Sequence, residues 1–141
     1  MKVEIITNEQ LEDAFFVRKV VFVEEQKVDV AEEIDQYEDS STHFVLYDDG
    51  RNPVGAGRFR EHEGYGKIER ICVLAKMRKS GAGKQLMSAI EEYALKEGYQ
   101  LLKLNAQTQA IPFYEKLGYT VVSEEFMDAG IPHRTMTKPI Q

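Results

Sequence analysis

A mixed α/β fold, with parallel and antiparallel strands in one sheet and helices on both faces, is the fold class that this sequence predicts. Short segments rich in β-branched and aromatic residues alternate with segments whose apolar residues recur at helical spacing. The 141 residues contain no repeat, no low-complexity tract and no Pro/Gly/Ser-rich linker. We therefore expect a single domain over residues 1–141, with the element order β-α-α-β-β-β-α-β-α-β-β.

The first half of the chain predicts a strand, two helices and an antiparallel meander. Thr7 or Asn8 can cap the first helix, which we expect to run to about Val20. The acidic stretch 24–40 predicts a short second helix and a loop. Asp49-Gly50 is a hairpin signal between two strands. The predicted strands are 2–6, 43–48, 54–61 and 67–74, with a further turn at 63–66.

The second half predicts a long helix over about 81–96, with Gly98 as its C′ residue. Its apolar positions recur at helical spacing: Leu86, Met87, Ile90, Tyr93, Ala94 and Leu95. Gly118 ends a later helix. The remaining predicted elements are a strand at 101–105, that helix at about 108–117, and a closing antiparallel pair formed by 119–123 and 134–137.

Composition and charge favour a protein of the cytoplasm that binds a small anion. The formal net charge is -6, so a nucleic acid backbone would be repelled, and no apolar run is long enough to span a bilayer. Cys72 is the single cysteine, which excludes an intrachain disulfide, and the N-terminus lacks an uncharged signal segment. The locally basic stretch is Lys76-Met77-Arg78-Lys79, followed by Lys84. We expect neither a nucleic acid nor a membrane partner.

The segment from Ile71 to Lys84 contains an apolar strand, a basic glycine-containing turn and the start of an amphipathic helix. The first backbone N–H groups of a helix have no internal partner and carry partial positive charge. Glycine lets a phosphate approach them closely. This arrangement predicts a pyrophosphate site. A P-loop is excluded because position 78 is Arg and position 85 is Gln, and a Rossmann fingerprint is excluded because position 86 is Leu.

Two motifs resemble those of the GNAT superfamily of N-acetyltransferases. The first is Arg78-x-x-Gly81-x-Gly83 after a strand, which resembles the acetyl-CoA pyrophosphate loop. The second is the stretch Asn105 to Tyr119, with a strand ending in Asn followed by a helix carrying Ala-x-x-Phe-Tyr-x-Lys-x-Gly-Tyr. One helix and one strand separate the motifs, as in the family, and the element order matches over essentially the whole chain.

The resemblance implies the acyl-CoA N-acyltransferase fold and a site for acetyl-CoA as co-substrate. It implies that strands 67–74 and 101–105 run parallel but splay apart, with the pantetheine arm between them. Asn105 would hydrogen-bond the pantetheine, and a strand-end cap is the alternative role. The expected coenzyme-binding residues are Ile71, Cys72, Val73, Arg78, Lys79, Ser80, Gly81, Ala82, Gly83, Lys84 and Asn105.

Amide formation needs a neutral amine and a stabilised thiolate leaving group. Since a lysine-like amine has a pKa of about 10.4, only about one in 2,500 molecules is neutral at pH 7. Glu69 is the candidate general base, on the expectation that it shares a strand face with Ile71 and Val73. The alternative is an ion pair with Arg58, Arg60 or Arg70. Tyr114 matches the family tyrosine near the coenzyme sulfur and is the candidate general acid.

Two further kinds of chemistry are disfavoured by the sequence. Cys72 lies mid-strand between apolar residues, which predicts an inert buried thiol. The three histidines lack metal-ligand spacing, so we expect no metal site.

The acceptor side falls in the first two helices, where Arg18-x-x-Val-Phe22-x-x-Glu25-Gln26 resembles the small bacterial ElaA-like branch. Arg18, Phe22, Glu25 and Gln26 are the candidate contacts for a small-molecule or peptide amine. The run Glu33-x-Asp35-x-x-x-Asp39 partly resembles acyl-homoserine-lactone synthases, an alternative enzyme class, although those carry a tryptophan here. A second alternative is an acetyl-CoA sensor without turnover. Family habit favours a homodimer.

Overall fold

The computed structural model describes residues 1–141 throughout. The strands are β1 Lys2–Ile6, β2 Thr42–Tyr47, β3 Pro53–His62, β4 Tyr65–Val73, β5 Leu101–Gln107, β6 Thr120–Val121, β7 Phe126–Asp128 and β8 Ile131–Pro139. The α-helices are α1 Leu11–Arg18, α2 Val30–Glu33, α3 Ala82–Lys96 and α4 Ile111–Lys116. None of the helices is both long enough and apolar enough to cross a membrane.

All eight strands belong to one mixed sheet. Its order is β1-β2-β3-β4-β5-β8-β6, with β7 paired to β8. β4 and β5 are parallel, joined by the crossover through α3, and every other pair is antiparallel. This arrangement confirms the predicted fold class.

Helices cover both faces of the sheet, as the sequence predicts. α3 and α4 bury one face through a cluster that includes Leu86, Ile90 and Tyr114. α1 covers the other face, with Ala14 and Val17 packed against Ala56 and Cys72. The two layers leave a central stretch of sheet buried on both sides.

The first helix continues further than predicted. After α1, residues Lys19–Glu25 form a π-helical segment, and the N–H of Gln26 bonds to the carbonyl of Val21, five residues earlier. The predicted end at Val20 is therefore wrong. The run Val20-Val21-Phe22-Val23 is apolar without a helical period, so the sequence does not show where the helix ends. Such wide turns often occur at functional sites.

The predicted closing antiparallel pair is present, and a hairpin that was not predicted is added to it. Phe126–Asp128 and Ile131–Pro139 form a hairpin in addition to the short strand at Thr120–Val121. Its turn residues Ala129 and Gly130 have φ of 51° and 75°, the pattern of a type I′ turn. Alanine is unusual at positive φ, which explains why the sequence does not predict this hairpin.

Candidate functional site

A cleft opens where β4 and β5 stop pairing. The two strands are hydrogen-bonded at three positions, and the last pair is Ile68 with Leu104. Beyond that pair, β4 keeps its partner β3 and β5 keeps its partner β8, but their facing edges separate. A cavity of about 580 Å³ lies in and above the gap. The splay expected from the resemblance is confirmed, and it leaves backbone N–H and C=O groups of β4 available to a ligand.

A β-bulge at Arg70 changes the direction of the side chains on β4. Ala56 pairs with Cys72 but Arg58 pairs with Glu69, so β4 carries an extra residue opposite Gly57. Arg70 itself has φ 59°. Two residues of one strand opposite one residue of its neighbour define such a bulge.

The bulge corrects one expectation about Glu69. Ile68 and Ile71 both pack in the cluster under α3, although strict alternation would place them on opposite faces. Glu69 instead bonds to Arg58, on the side covered by α1 and residues 29–41. The expectation that Glu69 shares a face with Ile71 and Val73 is therefore wrong.

The basic turn leads into the N-terminus of α3 at one end of the cavity. Lys79 and Gly81 have φ of 64° and 87°, and the first hydrogen bond within the helix runs from the N–H of Gln85 to the carbonyl of Gly81. The N–H groups of residues 82–84 therefore have no backbone partner. Gly83 lines the cavity, and a Cβ at this position would lie 3.2 Å from Cζ of Phe113.

Seven of the eleven predicted coenzyme residues line this cavity: Ile71, Cys72, Val73, Arg78, Lys79, Gly83 and Asn105. Four do not line it: Ser80, Gly81, Ala82 and Lys84. The Ala82 side chain is buried beneath the helix, so that only its backbone N–H is suited to a ligand. Gly81 contributes through its left-handed backbone, which sets the direction of the first turn of α3.

Arg78 bridges two sides of the cleft. Its Nε donates to the carbonyl of Val73 at 3.0 Å, and its Nη2 lies 3.0 Å from Oε1 of Glu25. A second bridge joins Gln107 Nε2 to Gln26 Oε1 at 2.7 Å. The end of the π-helical segment is thus tied to the loop after β4 and to the end of β5.

Tyr114 and Cys72 are both buried at the cavity wall. The Tyr114 hydroxyl makes no hydrogen bond to the protein, and its ring contacts Phe113 and Tyr119 edge to face. Burial raises the pKa of Tyr114, with a smaller contribution from Cys72. Burial also raises the pKa of the Cys72 thiol to about 12. Both groups therefore keep their protons at neutral pH.

Glu69 is held by several cations. Its carboxylate lies 2.8 Å from Arg58 Nη2, 2.8 Å from Arg60 Nε and 3.5 Å from Lys67 Nζ. Burial alone would raise the pKa of Glu69, but the hydrogen bonds and charges of Arg60 and Arg58 outweigh it and lower the pKa. The ion pairs anticipated with Arg58 and Arg60 are present.

The predicted acceptor contacts separate into two groups. Phe22 and Gln26 line the cavity, whereas Arg18 and Glu25 do not. Arg18 is 1% exposed, with its Nε 2.6 Å from Glu33 Oε1 and its Nη2 2.7 Å from Glu38 Oε2. Because the Arg18 side chain is buried, bonds to Glu33 and Glu38 and does not line the cavity, the structure does not support the predicted acceptor contact.

The chain is similar to known proteins over nearly its whole length. Residues 7–140 match the model of the acetyltransferase (GNAT) domain. YjcF of Bacillus subtilis, an N-acetyltransferase by name, is 57% identical over 140 residues, covering 98% of this chain and 99% of YjcF. The chain belongs to the GNAT family of acetyltransferases. It is accordingly an acyltransferase.

Solved GNAT structures agree with this fold over the full chain. An N-acetyltransferase from Lactobacillus plantarum superposes with a TM-score of 0.91 at 27% identity, covering 100% of both chains. Escherichia coli ElaA gives 0.84 at 24% identity and 97% of each chain. An acetyltransferase from Elizabethkingia anophelis, solved with acetyl-CoA bound, gives 0.78 at 17% identity, covering 99% of this chain and 97% of that one. The last two likenesses concern the fold alone.

Sequence reasoning missed several side chains of the GNAT cavity. The β7–β8 hairpin contributes Asp128, Ala129, Ile131 and His133 to its wall, and β5 contributes Gln107. In the sequence, His133 is one of three histidines without metal-ligand spacing, and it is not predicted to be a cavity residue. Its place in the cavity depends on the unpredicted hairpin.

Proposed function

We propose that this GNAT protein transfers an acetyl group from acetyl-CoA to a primary amine by direct attack in a ternary complex. One observation carries the proposal: a single cavity joins the start of α3, the open edge of β4 and the unpaired hydroxyl of Tyr114. Acetyl-CoA needs an anion site, a slot for an extended amide chain and a donor near its sulfur, and this cavity has a candidate for each.

The coenzyme is proposed to bind through backbone more than through side chains. The free N–H groups at the start of α3 suit the pyrophosphate, with Arg78 and Lys79 adding charge. The unpaired edge of β4 at residues 71–73 suits the pantetheine amides. Asn105 Oδ1 accepts from the Thr135 hydroxyl at 2.8 Å, which leaves the Asn105 amide N–H₂ free to donate.

Tyr114 is proposed to stabilise the departing thiolate. A coenzyme thiol resembling cysteine has a pKa of about 8.5, below that of an unperturbed phenol at about 10. Because burial raises the pKa of Tyr114 further, its proton is present throughout the working pH range and is donated mainly as a hydrogen bond. The protonated Cys72 thiol supports direct attack without an acyl-enzyme intermediate.

A cationic amine is the acceptor class that the wall favours. Four carboxylate residues line the cavity: Glu32, Glu33, Glu69 and Asp128. Glu33 and Glu69 are neutralised by arginines, whereas Glu32 and Asp128 form no ion pair within the chain. Two unpaired carboxylates beside apolar residues such as Phe22 suit an amine on a partly apolar carrier.

The assignment of Glu69 as general base stays a prediction. A carboxylate whose pKa is lowered by three cations is a weak proton acceptor, so its basicity argues against the role.

The test is a screen of purified protein with acetyl-CoA and a panel of small amines and peptides, following thiol release and acetylated product by mass spectrometry. We expect turnover with at least one cationic amine and none with the Gly83→Glu variant. Calorimetric binding of acetyl-CoA with no acetylated product across the panel would contradict enzymatic transfer and favour the sensor alternative. Absence of acetyl-CoA binding would contradict both.

A further inference from the structure

We propose that Nε2 of His133 is the base that takes the proton from the acceptor amine, an inference that rests on the proposed function. His133 lies on β8 and is 8% exposed. It lines the same cavity as Tyr114, on the wall built by the β7–β8 hairpin. No other imidazole lines that cavity.

The register places His133 on the acceptor side of the sheet. It pairs with Gln107 across β5–β8, and opposite residues of an antiparallel pair point to the same face. The Gln107 side chain reaches Gln26 at the end of the π-helical segment, so this face is the one covered by the first helices. Phe126 on β7 stacks on the imidazole, with ring centroids 6.0 Å apart and planes 21° apart. The ring is therefore fixed in orientation.

The hydrogen bonding of the ring selects one tautomer. Nδ1 lies 2.7 Å from the carbonyl oxygen of Ile131, and a carbonyl only accepts, so the neutral ring carries its proton on Nδ1. Nε2 then presents a lone pair. Nε2 of His133 has no hydrogen-bond partner in the protein, and it remains accessible to solvent. Nδ1 of His43, which also lacks a partner, is instead fully buried. A lone pair that is both oriented and accessible is what a general base requires.

Charged groups surround this position on several elements. The cavity is lined from β7 by Asp128, from β4 by Lys67, Glu69 and Arg70, and from the opposite side by Glu32 and Glu33. Both signs are present, and the carboxylates of Glu33 and Glu69 are already paired with arginines.

The reaction balances with one proton released. The acceptor R–NH₃⁺ gives a proton to Nε2, and the lone pair of R–NH₂ forms the C–N bond while the carbonyl π electrons move to oxygen. As those electrons return, the C–S bond breaks and its pair leaves on sulfur. The surplus proton of nitrogen reaches the thiolate by concerted relay through the Tyr114 hydroxyl, which hydrogen-bonds to sulfur and is a neutral phenol before and after the step. The proton on Nε2 then passes to solvent, leaving an N-acetyl amide and free thiol.

The test compares kcat/KM against pH for the wild type, His133→Ala and Glu69→Gln, using the amine that the screen returns. We expect the acidic limb of the wild-type profile to disappear in His133→Ala and to persist in Glu69→Gln. kcat/KM of His133→Ala should fall by ~10²-fold or more with unchanged acetyl-CoA affinity. Added imidazole should restore rate in proportion to its neutral form, which a merely structural residue would not allow.

Opposite results overturn the proposal. If His133→Ala has unchanged kcat/KM and keeps the acidic limb of its pH profile, His133 takes no part in the reaction. If Glu69→Gln loses that limb, Glu69 is the base. If no amine reacts with the wild type, the proposed function has failed, and the ¹⁵N shifts of His133 still decide its suitability as base. A proton on Nε2 of the neutral ring contradicts the proposal, whereas a proton on Nδ1 supports it.

Discussion

At the scale of single residues, burial keeps the protons on two reactive groups of the cavity wall. Tyr114 and Cys72 share a wall of the cavity, and burial raises the pKa of both. A raised pKa favours Tyr114 as a proton donor, because a donor must keep its proton until the reaction. It excludes Cys72 as a nucleophile, because a thiol must lose its proton before it attacks. Two residue-scale predictions follow from that difference.

Tyr114→Phe should lower kcat at least about tenfold with little change in acetyl-CoA affinity, because it deletes the donor and keeps the ring contacts with Phe113 and Tyr119. Tyr119→Phe is the matched control, since its hydroxyl bonds to Glu91 at 2.6 Å, away from the cavity. Steady-state kinetics and calorimetry measure both. An equal loss of coenzyme affinity in Tyr114→Phe would make Tyr114 a packing residue.

Cys72→Ala should remain active, because a thiol with a pKa of about 12 is not a thiolate at neutral pH. The measurement is kcat/KM of the variant, together with mass spectrometry of wild-type protein quenched during turnover. An acetyl group trapped on Cys72, or loss of activity in a variant that still binds acetyl-CoA, would show that the reaction passes through an acyl-enzyme.

At the scale of elements, the ends and irregularities of helices and strands shape the cleft. The bulge in β4 directs Glu69 and Ile71 to opposite faces, and the start of α3 provides three N–H groups at one end of the cavity. The end of the π-helical segment contacts both sides of the cleft, since Glu25 bonds to Arg78 after β4 and Gln26 bonds to Gln107 on β5. Coenzyme affinity should therefore depend on these local geometries.

Gly83→Glu should abolish acetyl-CoA binding, because a side chain there meets Phe113, blocks the free N–H groups and repels the pyrophosphate. Gly50→Glu makes the same chemical change in the β2–β3 turn, outside the cavity, and should bind normally. Calorimetry measures both variants, with circular dichroism to confirm folding. Wild-type affinity in folded Gly83→Glu would place the coenzyme elsewhere.

Glu25→Gln should tighten acetyl-CoA binding about two- to fivefold, because it frees Arg78 from a partly exposed ion pair of modest strength. Glu24→Gln is the matched control: it removes the same charge from an exposed neighbour without an ion pair. Titrations at low and high salt should show the gain shrinking as salt rises. Equal gains in both variants would mean that net charge, and not the Arg78 contact, limits binding.

At the scale of the whole molecule, a buried charge network joins distant parts of the chain. Arg18 on α1 and Arg58 on β3 share Glu38, and Arg58 also reaches Asp35 at 2.8 Å. Each of these contacts joins two residues that are at least 20 positions apart in the sequence. The network fixes Glu33 at the end of α2, together with the segment between α2 and β2, against the wall of the cavity.

The free energy of unfolding should decrease as the pH is lowered, because groups of this network take up protons. Burial alone would raise the pKa of Glu38, but hydrogen bonds from Arg18 outweigh it and lower the pKa from 4.5 to about 2. A lowered carboxyl pKa stabilises the fold above the unfolded value and loses that contribution as pH falls from 4.5 toward 2. Burial lowers the pKa of His43, so stability also declines below its unfolded value near 6.5.

Glu38→Gln should lower the free energy of unfolding at pH 7 by ~3–5 kcal/mol, because it leaves two buried guanidinium groups short of a partner. Urea unfolding at several pH values measures this. The gap in unfolding free energy between variant and wild type should narrow below pH 4.5, because Glu38 of the unfolded wild-type chain takes up a proton there while the folded chain keeps it ionised down to about pH 2. A gap that stays constant down to pH 2 would show that Glu38 acts through packing alone.

The sequence by itself determined the mixed α/β class, the order of the main elements and the basic glycine turn that opens α3. These properties follow from short-range features: the period of apolar residues, glycines at helix ends, and the compact motif from Asn105 to Tyr119. Only the tertiary structure decided which way Glu69 and Ile71 point, that Arg18 is buried, and that His133 reaches the cavity. Each of these depends on strand register, a bulge or ion pairs between residues far apart in sequence, and a one-residue shift reverses the face of every side chain that follows.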